Sequence, residues 1–271
     1  MKRFLQICLF IILIAALFFF SRQAKIDREW VEELSKMPKF SQTERGYHIK
    51  NLRQWDFRLA GPLTKQWSET HIYPNDLSAV WYFLEPFENN DMFAHTYLSF
   101  VFTTENGNSQ TISVSVEARR EDGENYSALR GIFRKFELLY VWSTEKDIHT
   151  KIAIHRDDQL YAYQLNLSKE HMIAIFEHFI KRTNDLKDNP RFYNTLFSNC
   201  TNELAKAVND AFPKALPWNI SWITTGRAAH WLIELGYIKP PNYDPNIQSL
   251  IKTHAGEPEQ VFSKVWRDEI N

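Results

Sequence analysis

The sequence is short of cysteine, glycine and any surplus of charge. Its 271 residues include 2 Cys, 8 Gly and 4 Met, and 33 acidic against 32 basic residues leave a formal net charge of -1. Charges of both signs are mixed along the chain, which argues against a nucleic-acid partner, since such a partner usually shows as a basic excess. No Cys-x-x-Cys or His-Glu-x-x-His spacing occurs and the histidines are scattered, so no metal site is expected. Neither a Gly-rich phosphate loop nor a Gly-x-Ser-x-Gly elbow is present, and the chain is expected to work without a cofactor. There is no internal repeat and no low-complexity block.

What is abundant is apolar and aromatic material, 44% and 15% of the residues. With the first ~25 residues set aside, the rest suits one large domain, or a domain with a small appendage. The N-terminus explains the division. Lys2 and Arg3 precede an uncharged run from Phe4 to Phe20, and the Phe-Phe-Phe-Ser-Arg-Gln-Ala that follows is a poor cleavage site for a signal peptide. Residues 1–25 are therefore expected to be an uncleaved transmembrane anchor, seated in the inner membrane through residues 4–20, with the main domain outside. Residues 26–75 read as a polar, aromatic-rich lead-in, with a helix from Asp27 to Met37. A cysteine domain is expected over residues 76–240 and a polar tail over 241–271.

The middle of the chain predicts strands at Ser78–Leu84 and His95–Thr103, joined by an acidic turn at Glu88–Asp91. Thr111–Arg119 alternates strictly, with Ile112, Val114 and Val116 on one face and Ser113, Ser115 and Glu117 on the other. Asn106-Gly107-Asn108 is the hairpin turn before it. Further strands are expected at Phe136–Ser143, Ile148–His155 and Leu160–Leu165. Helices follow: one capped by Ser168 and running to about Leu186, one from Cys200 to Asp210, and one over Thr225–Leu235 closed by Gly236. The class is α+β, an antiparallel sheet followed by packed helices.

Chemistry gathers at Cys200. Cys8 lies in the apolar run, so Cys200 has no intrachain partner in the exported part, and an unpaired thiol there is either buried and inert or at work. It sits in Ser198-Asn199-Cys200-Thr201-Asn202, and Ser and Asn are residues that cap helices. A thiol in the first helical turn gains from free backbone N–H groups and the positive end of the helix dipole, which favour the thiolate and can hold an oxyanion. Papain-like folds present their nucleophile in this way. Such a thiol needs an imidazole. Nine histidines are available. His95 opens an otherwise apolar strand, a position that a packed or surface histidine also occupies. Glu117, on the polar face of the next strand, is either its orienting partner or one half of a salt bridge with Arg119, Arg120 or Arg134.

Four blocks resemble the bacterial Lnb-type N-terminal periplasmic domain family. They are His95-Thr96-Tyr97-Leu98-Ser99-Phe100; Ser113 to Glu121 with Gly123-Glu124; Gly131 to Val141; and Phe192 to Thr201, which contains Tyr193-Asn194-Thr195-Leu196 and Asn199-Cys200-Thr201. The resemblance implies a permuted papain-like or NlpC/P60-like domain in the periplasm, with His95 before Cys200 in the chain as base and nucleophile. It marks Glu117 as a third catalytic candidate, and Asn199, Thr201 and Arg119 as substrate or oxyanion candidates. The activity implied is acyl transfer on membrane lipid or lipoprotein through a thioester on Cys200. Full Lnb-type proteins carry further membrane helices, which this chain does not show. The alternatives are a thiol hydrolase of the cell envelope (amidase, peptidase or lipase) and a non-catalytic envelope module.

Overall fold

The structure, a computed structural model, describes residues 2–87, 90–107 and 109–270. Glu88 and Asn89 of the expected acidic turn, and Asn108 of the expected hairpin turn, lie outside the described residues. Eight strands build one sheet: β1 (Lys39–Gln42), β2 (Tyr47–Arg58), β3 (Gly61–Ile72), β4 (Leu77–Phe87), β5 (Asn90–Thr103), β6 (Ser109–Arg119), β7 (Glu137–Thr144) and β8 (Tyr161–Gln164). Their order is β1-β2-β7-β6-β5-β4-β8, with β3 also paired to β2. The sheet is mixed rather than wholly antiparallel, because β7 returns from its antiparallel partner β6 to lie alongside β2 in the same direction, through Arg53 and Ser143.

Both faces of the sheet are covered. The apolar side of β6 (Ile112, Val114, Val116) packs under α4 (Lys169–Asp188) and α5 (Cys200–Ala211), within the larger core cluster. Ser168 caps α4 by accepting from the His171 N–H, as its position before an amphipathic run predicts. The other face carries a second core built on Trp81, Phe83 and Tyr97 and covered by Ile148, Phe262 and Trp266. This covering comes from α3 (Glu145–Thr150), α7 (Gln248–His254) and α8 (Glu259–Ile270). The short α2 (Ala128–Ile132) and α6 (Ala228–Glu234) complete the described helices after α1 (Lys2–Ser21), and Gly236 closes α6 with φ 80.

Several expectations are corrected here. The transmembrane anchor is overturned: among the described residues no helix is long and apolar enough to cross a membrane. α1 forms as a helix of 20 residues, and its uncharged stretch, Phe4 to Phe20, stands at the short end of the roughly 17–25 residues that span a bilayer core. The helix expected over Asp27–Met37 reduces to one 3-10 turn at Glu32–Leu34, and the rest of the lead-in supplies β1, β2 and β3. The strand expected at Ile148–His155 is α3 continued by a wide π turn, Lys151–His155. Ile148 and Ile152 are four residues apart, so a helix brings both to the core. Thr144 caps that helix, and its buried Asp147 takes the Arg53 guanidinium at 2.7 Å and the Trp55 N–H at 2.8 Å. The tail over 241–271, expected only to be polar, buries Ile251, Phe262 and Trp266, while Arg267 grips the fully buried Glu145 at 2.5 and 2.8 Å.

Candidate active site

α5 opens at Cys200 beside β5, with Asn199 as its N-cap. The Asn199 side-chain oxygen accepts from the Asn202 N–H at 2.8 Å, and the two hydrogens of its amide go to the carbonyls of Thr195 and Trp222, both at 2.9 Å. Asn202 donates to the same Trp222 carbonyl at 2.6 Å. One turn on, the buried Glu203 binds Lys206, Arg182, Ser198 and the Tyr140 hydroxyl, which ties α5 to α4 and β7. Those cations hold its carboxyl at about 2, against the pull of burial. The helix start is therefore held from three directions before Cys200 is considered.

Cys200 is the first residue of α5 and is 5% exposed. Its Sγ lies 3.9 Å from the Ala94 carbonyl, which places it against the first half of β5, beside His95. That stretch of β5 is fixed by Thr225, whose hydroxyl takes the Ala94 N–H at 2.7 Å and donates to the Ala94 carbonyl at 2.6 Å. At the neighbouring Gly226 a Cβ would come within 2.2 Å of the Asp91 carbonyl oxygen, so only glycine lets the segment approach β5 this closely.

His95 points its Nε2 along the sheet. Ser115 Oγ is 2.8 Å away and itself donates to Glu117 Oε1 at 2.6 Å, while His95 Nε2 is 3.5 Å from that same carboxylate oxygen. The register of β5 on β6 explains the alignment: Tyr97 pairs with Ser115, so His95 comes level with Glu117. With Nε2 engaged by Ser115 and Glu117, Nδ1 is the nitrogen available to the thiol. Burial pulls the His95 pKa down, but the Glu117 charge and the interaction with Cys200 outweigh it and raise the group to about 9. Burial pushes the Cys200 thiol up. The hydrogen bond and charge of His95, with the Thr96 backbone and side chain, more than reverse that and lower it. The Glu117 carboxyl is lowered too, since His95 and Lys151 overcome its burial. All three shifts favour the charged forms: a more acidic thiol, a more basic imidazole and a more acidic carboxyl.

Of the six candidates read from the sequence, Cys200, His95 and Glu117 converge. Thr201 stays beside Cys200 with its hydroxyl 3.0 Å from that of Thr96. Asn199 is a helix cap with both amide hydrogens committed to carbonyls, so an oxyanion contact at this helix start would fall to backbone N–H groups rather than to its side chain. Arg119 lies elsewhere. It stacks on Trp30 at 4.3 Å and donates to the carbonyls of Leu34 and Ser35 at 2.9 and 2.7 Å, and burial lowers its pKa to about 10. Its work is to fasten the N-terminal segment to the sheet. Among the described residues no group of His, Cys, Asp or Glu side chains forms a metal site.

Two participants escaped the sequence reading. Ser115 links His95 to Glu117, and its alternation in β6 marked it only as a polar face. Glu85, on β4 directly opposite His95, is 1% exposed and pairs with Arg156 at 2.7 and 2.9 Å. Burial pushes its carboxyl up to about 7 against the attraction of Arg156 and His95. Its signal was visible: a lone carboxylate inside Trp81-Tyr82-Phe83-Leu84-Glu85-Pro86-Phe87 must be paired if the strand is buried.

No curated protein and no solved structure matches the chain. A family model, the Lnb N-terminal periplasmic domain, matches residues 63–226, a span that holds His95, Ser115, Glu117 and Cys200 and leaves β1, β2, α6 and the α7–α8 tail outside. A periplasmic, envelope-associated location fits that family. The chain belongs to the Lnb N-terminal periplasmic domain family.

Proposed function

We propose that the protein is a cysteine-dependent acyltransferase of the cell envelope that carries an acyl group from membrane lipid or lipoprotein as a thioester on Cys200. The observation that supports this most is the alignment of Cys200, His95, Ser115 and Glu117 at the N-terminus of α5. The Cys200 thiolate attacks an ester carbonyl. A carbon–sulfur bond forms, the carbonyl electron pair moves onto oxygen, and the backbone N–H groups of Cys200 and Thr201 stabilise the oxyanion. When the intermediate collapses the carbon–oxygen bond breaks, and the imidazolium of His95 gives its proton to the departing alkoxide. In the second half His95, now neutral, takes a proton from an attacking amine, the amide forms, and the thiolate returns. Glu117 keeps His95 oriented and basic through Ser115. The periplasm supplies both partners on this reading, and no metal or organic cofactor takes part.

The reading is tested in a bacterial strain lacking the gene. Masses of lipoprotein N-termini are compared after complementation with the wild-type protein and with Cys200→Ala. The expected result is an N-acylated species that the wild type restores and Cys200→Ala does not. Equal N-termini in all strains would refute the transferase, and equal rescue by Cys200→Ala would refute the thiol chemistry.

A further inference from the structure

A cavity of about 160 Å³ opens along the flank of α5, on the side away from Glu117. Its walls are almost wholly hydrocarbon. Leu204 and Val208 of α5 face Leu98 of β5 and Ile175 of α4, and Trp231 of α6 closes another side. The polar groups on the wall have partners of their own: the Thr201 hydroxyl has Thr96, His171 has Ser168, and the Tyr237 hydroxyl has the Ala215 carbonyl. An apolar cavity of this size stays dry and takes an apolar guest. A peptide or sugar placed there would lose its hydrogen bonds to water without replacement.

The position decides what the guest is. One end of the cavity is formed by Thr201, the residue after the nucleophile, and by Tyr82, which is coupled electrostatically to Cys200. The Tyr82 side chain is buried, with Thr96 beside its hydroxyl at the end nearest the thiol. The other end is formed by Phe212 and Leu216, and Leu216 is pinned to Asn209 by two hydrogen bonds of 2.8 Å. From Thr201 to Phe212 the helix rises about 16 Å at 1.5 Å per residue. A slot that starts beside a nucleophile, runs along its helix and is lined with hydrocarbon matches a linear alkyl chain.

We infer that this cavity receives the hydrocarbon chain of the acyl group that Cys200 accepts, so that chain length is read by the residues between Thr201 and Phe212. This rests on the thioester chemistry proposed above and adds the acyl specificity to it. Val208 stands midway along the slot, and a larger side chain there shortens it. Each methylene kept out of an apolar site lowers occupancy roughly fourfold.

The test uses the full chain with the p-nitrophenyl esters of acetate, hexanoate and decanoate, following nitrophenolate release and the mass added to Cys200. The expected result is faster acylation from decanoate than from acetate, with the decanoate-to-acetate ratio falling about tenfold or more in Val208→Phe. A second variant, Ala215→Phe at the far end, is expected to lower the ratio for decanoate more than for hexanoate. Ratios equal to the wild type in both variants would overturn the cavity assignment and leave the thioester chemistry standing. Absence of any adduct from either ester would refute the thioester chemistry instead. The cavity is then judged on Cys200→Ala protein by binding of a fluorescent fatty acid: binding that weakens in the Val208→Phe background supports the assignment, and binding that does not weaken, or is absent, overturns it.

Discussion

Replacing Glu117 by Gln keeps the shape of the site and removes one charge. His95 Nε2 and the carboxylate oxygen are 3.5 Å apart. At an effective dielectric near 20, unit charges about 4 Å apart attract by about 4 kcal/mol. Glu117 keeps 30% exposure, so solvent screens part of that, and about half is retained, about 2 kcal/mol. Divided by 1.36 kcal/mol per pKa unit, this is about one to two units. The sign follows from the chain of partners. Without the carboxylate, burial dominates and His95 becomes a weaker base, below its present value of about 9. A less protonated His95 stabilises the thiolate less, so the thiol becomes a weaker acid. The assay is the rate of iodoacetamide alkylation of Cys200 against pH, since only the thiolate reacts. The rising limb of the profile should move alkaline by about one to two units in Glu117→Gln, and the rate at pH 7 should drop by about tenfold or more. Ser115→Ala keeps the charge and loses only the bridge, so its limb should move less. A limb that stays in place in Glu117→Gln would refute the assignment of Glu117 as the group that sets the base.

Other outcomes follow from the same geometry. Asn199→Ala removes the helix cap and two further hydrogen bonds, so stability in urea should fall by about 2 kcal/mol or more, with slower alkylation of Cys200. His149 is buried with neither ring nitrogen hydrogen-bonded, and burial, against the charge of Glu145, lowers it to about 4. The unfolded chain takes up that proton near pH 6.5, so stability should fall as pH drops from about 6.5 to about 4, by about 3 kcal/mol. His149→Phe, among Phe83, Tyr97, Phe262 and Trp266, should remove that slope in denaturation measured across the window. Arg53→Met leaves Asp147 buried without its guanidinium and should cost about 3–5 kcal/mol in urea denaturation. Arg119→Ala should expose the segment near Leu34 and Ser35 to limited proteolysis while Cys200 alkylates at close to its normal rate.

The sequence made local features legible and long-range ones not. β6 was visible as an alternating strand, α4 as a capped amphipathic run and α5 as a helix opening at Cys200, because each is written in contiguous residues. His95 was one histidine among nine; what distinguishes it is the register of β5 on β6, a property of pairing rather than of spacing. Asn199 and Arg119 stood near the right motifs but turn to backbone carbonyls, and no pattern of residue types says which carbonyl a side chain will reach. The stretch at 148–155 misled because Ile148 and Ile152 suit a strand by composition, and only Thr144 and the buried Asp147 make it a helix. The N-terminal run was legible as apolar and as a helix, but the span expected of it was not found: among the described residues no helix is long and apolar enough to cross a membrane.

The most direct test of the central claim is to trap an acyl group on Cys200 and weigh it. The full chain is incubated with a diacylated lipoprotein in detergent, quenched in acid and analysed by intact mass and peptide mapping. The account predicts one added acyl mass on the peptide that carries Cys200, released by neutral hydroxylamine and missing from Cys200→Ser and His95→Ala. A chain that gains no mass under these conditions, or gains it equally when Cys200 is replaced, would contradict it.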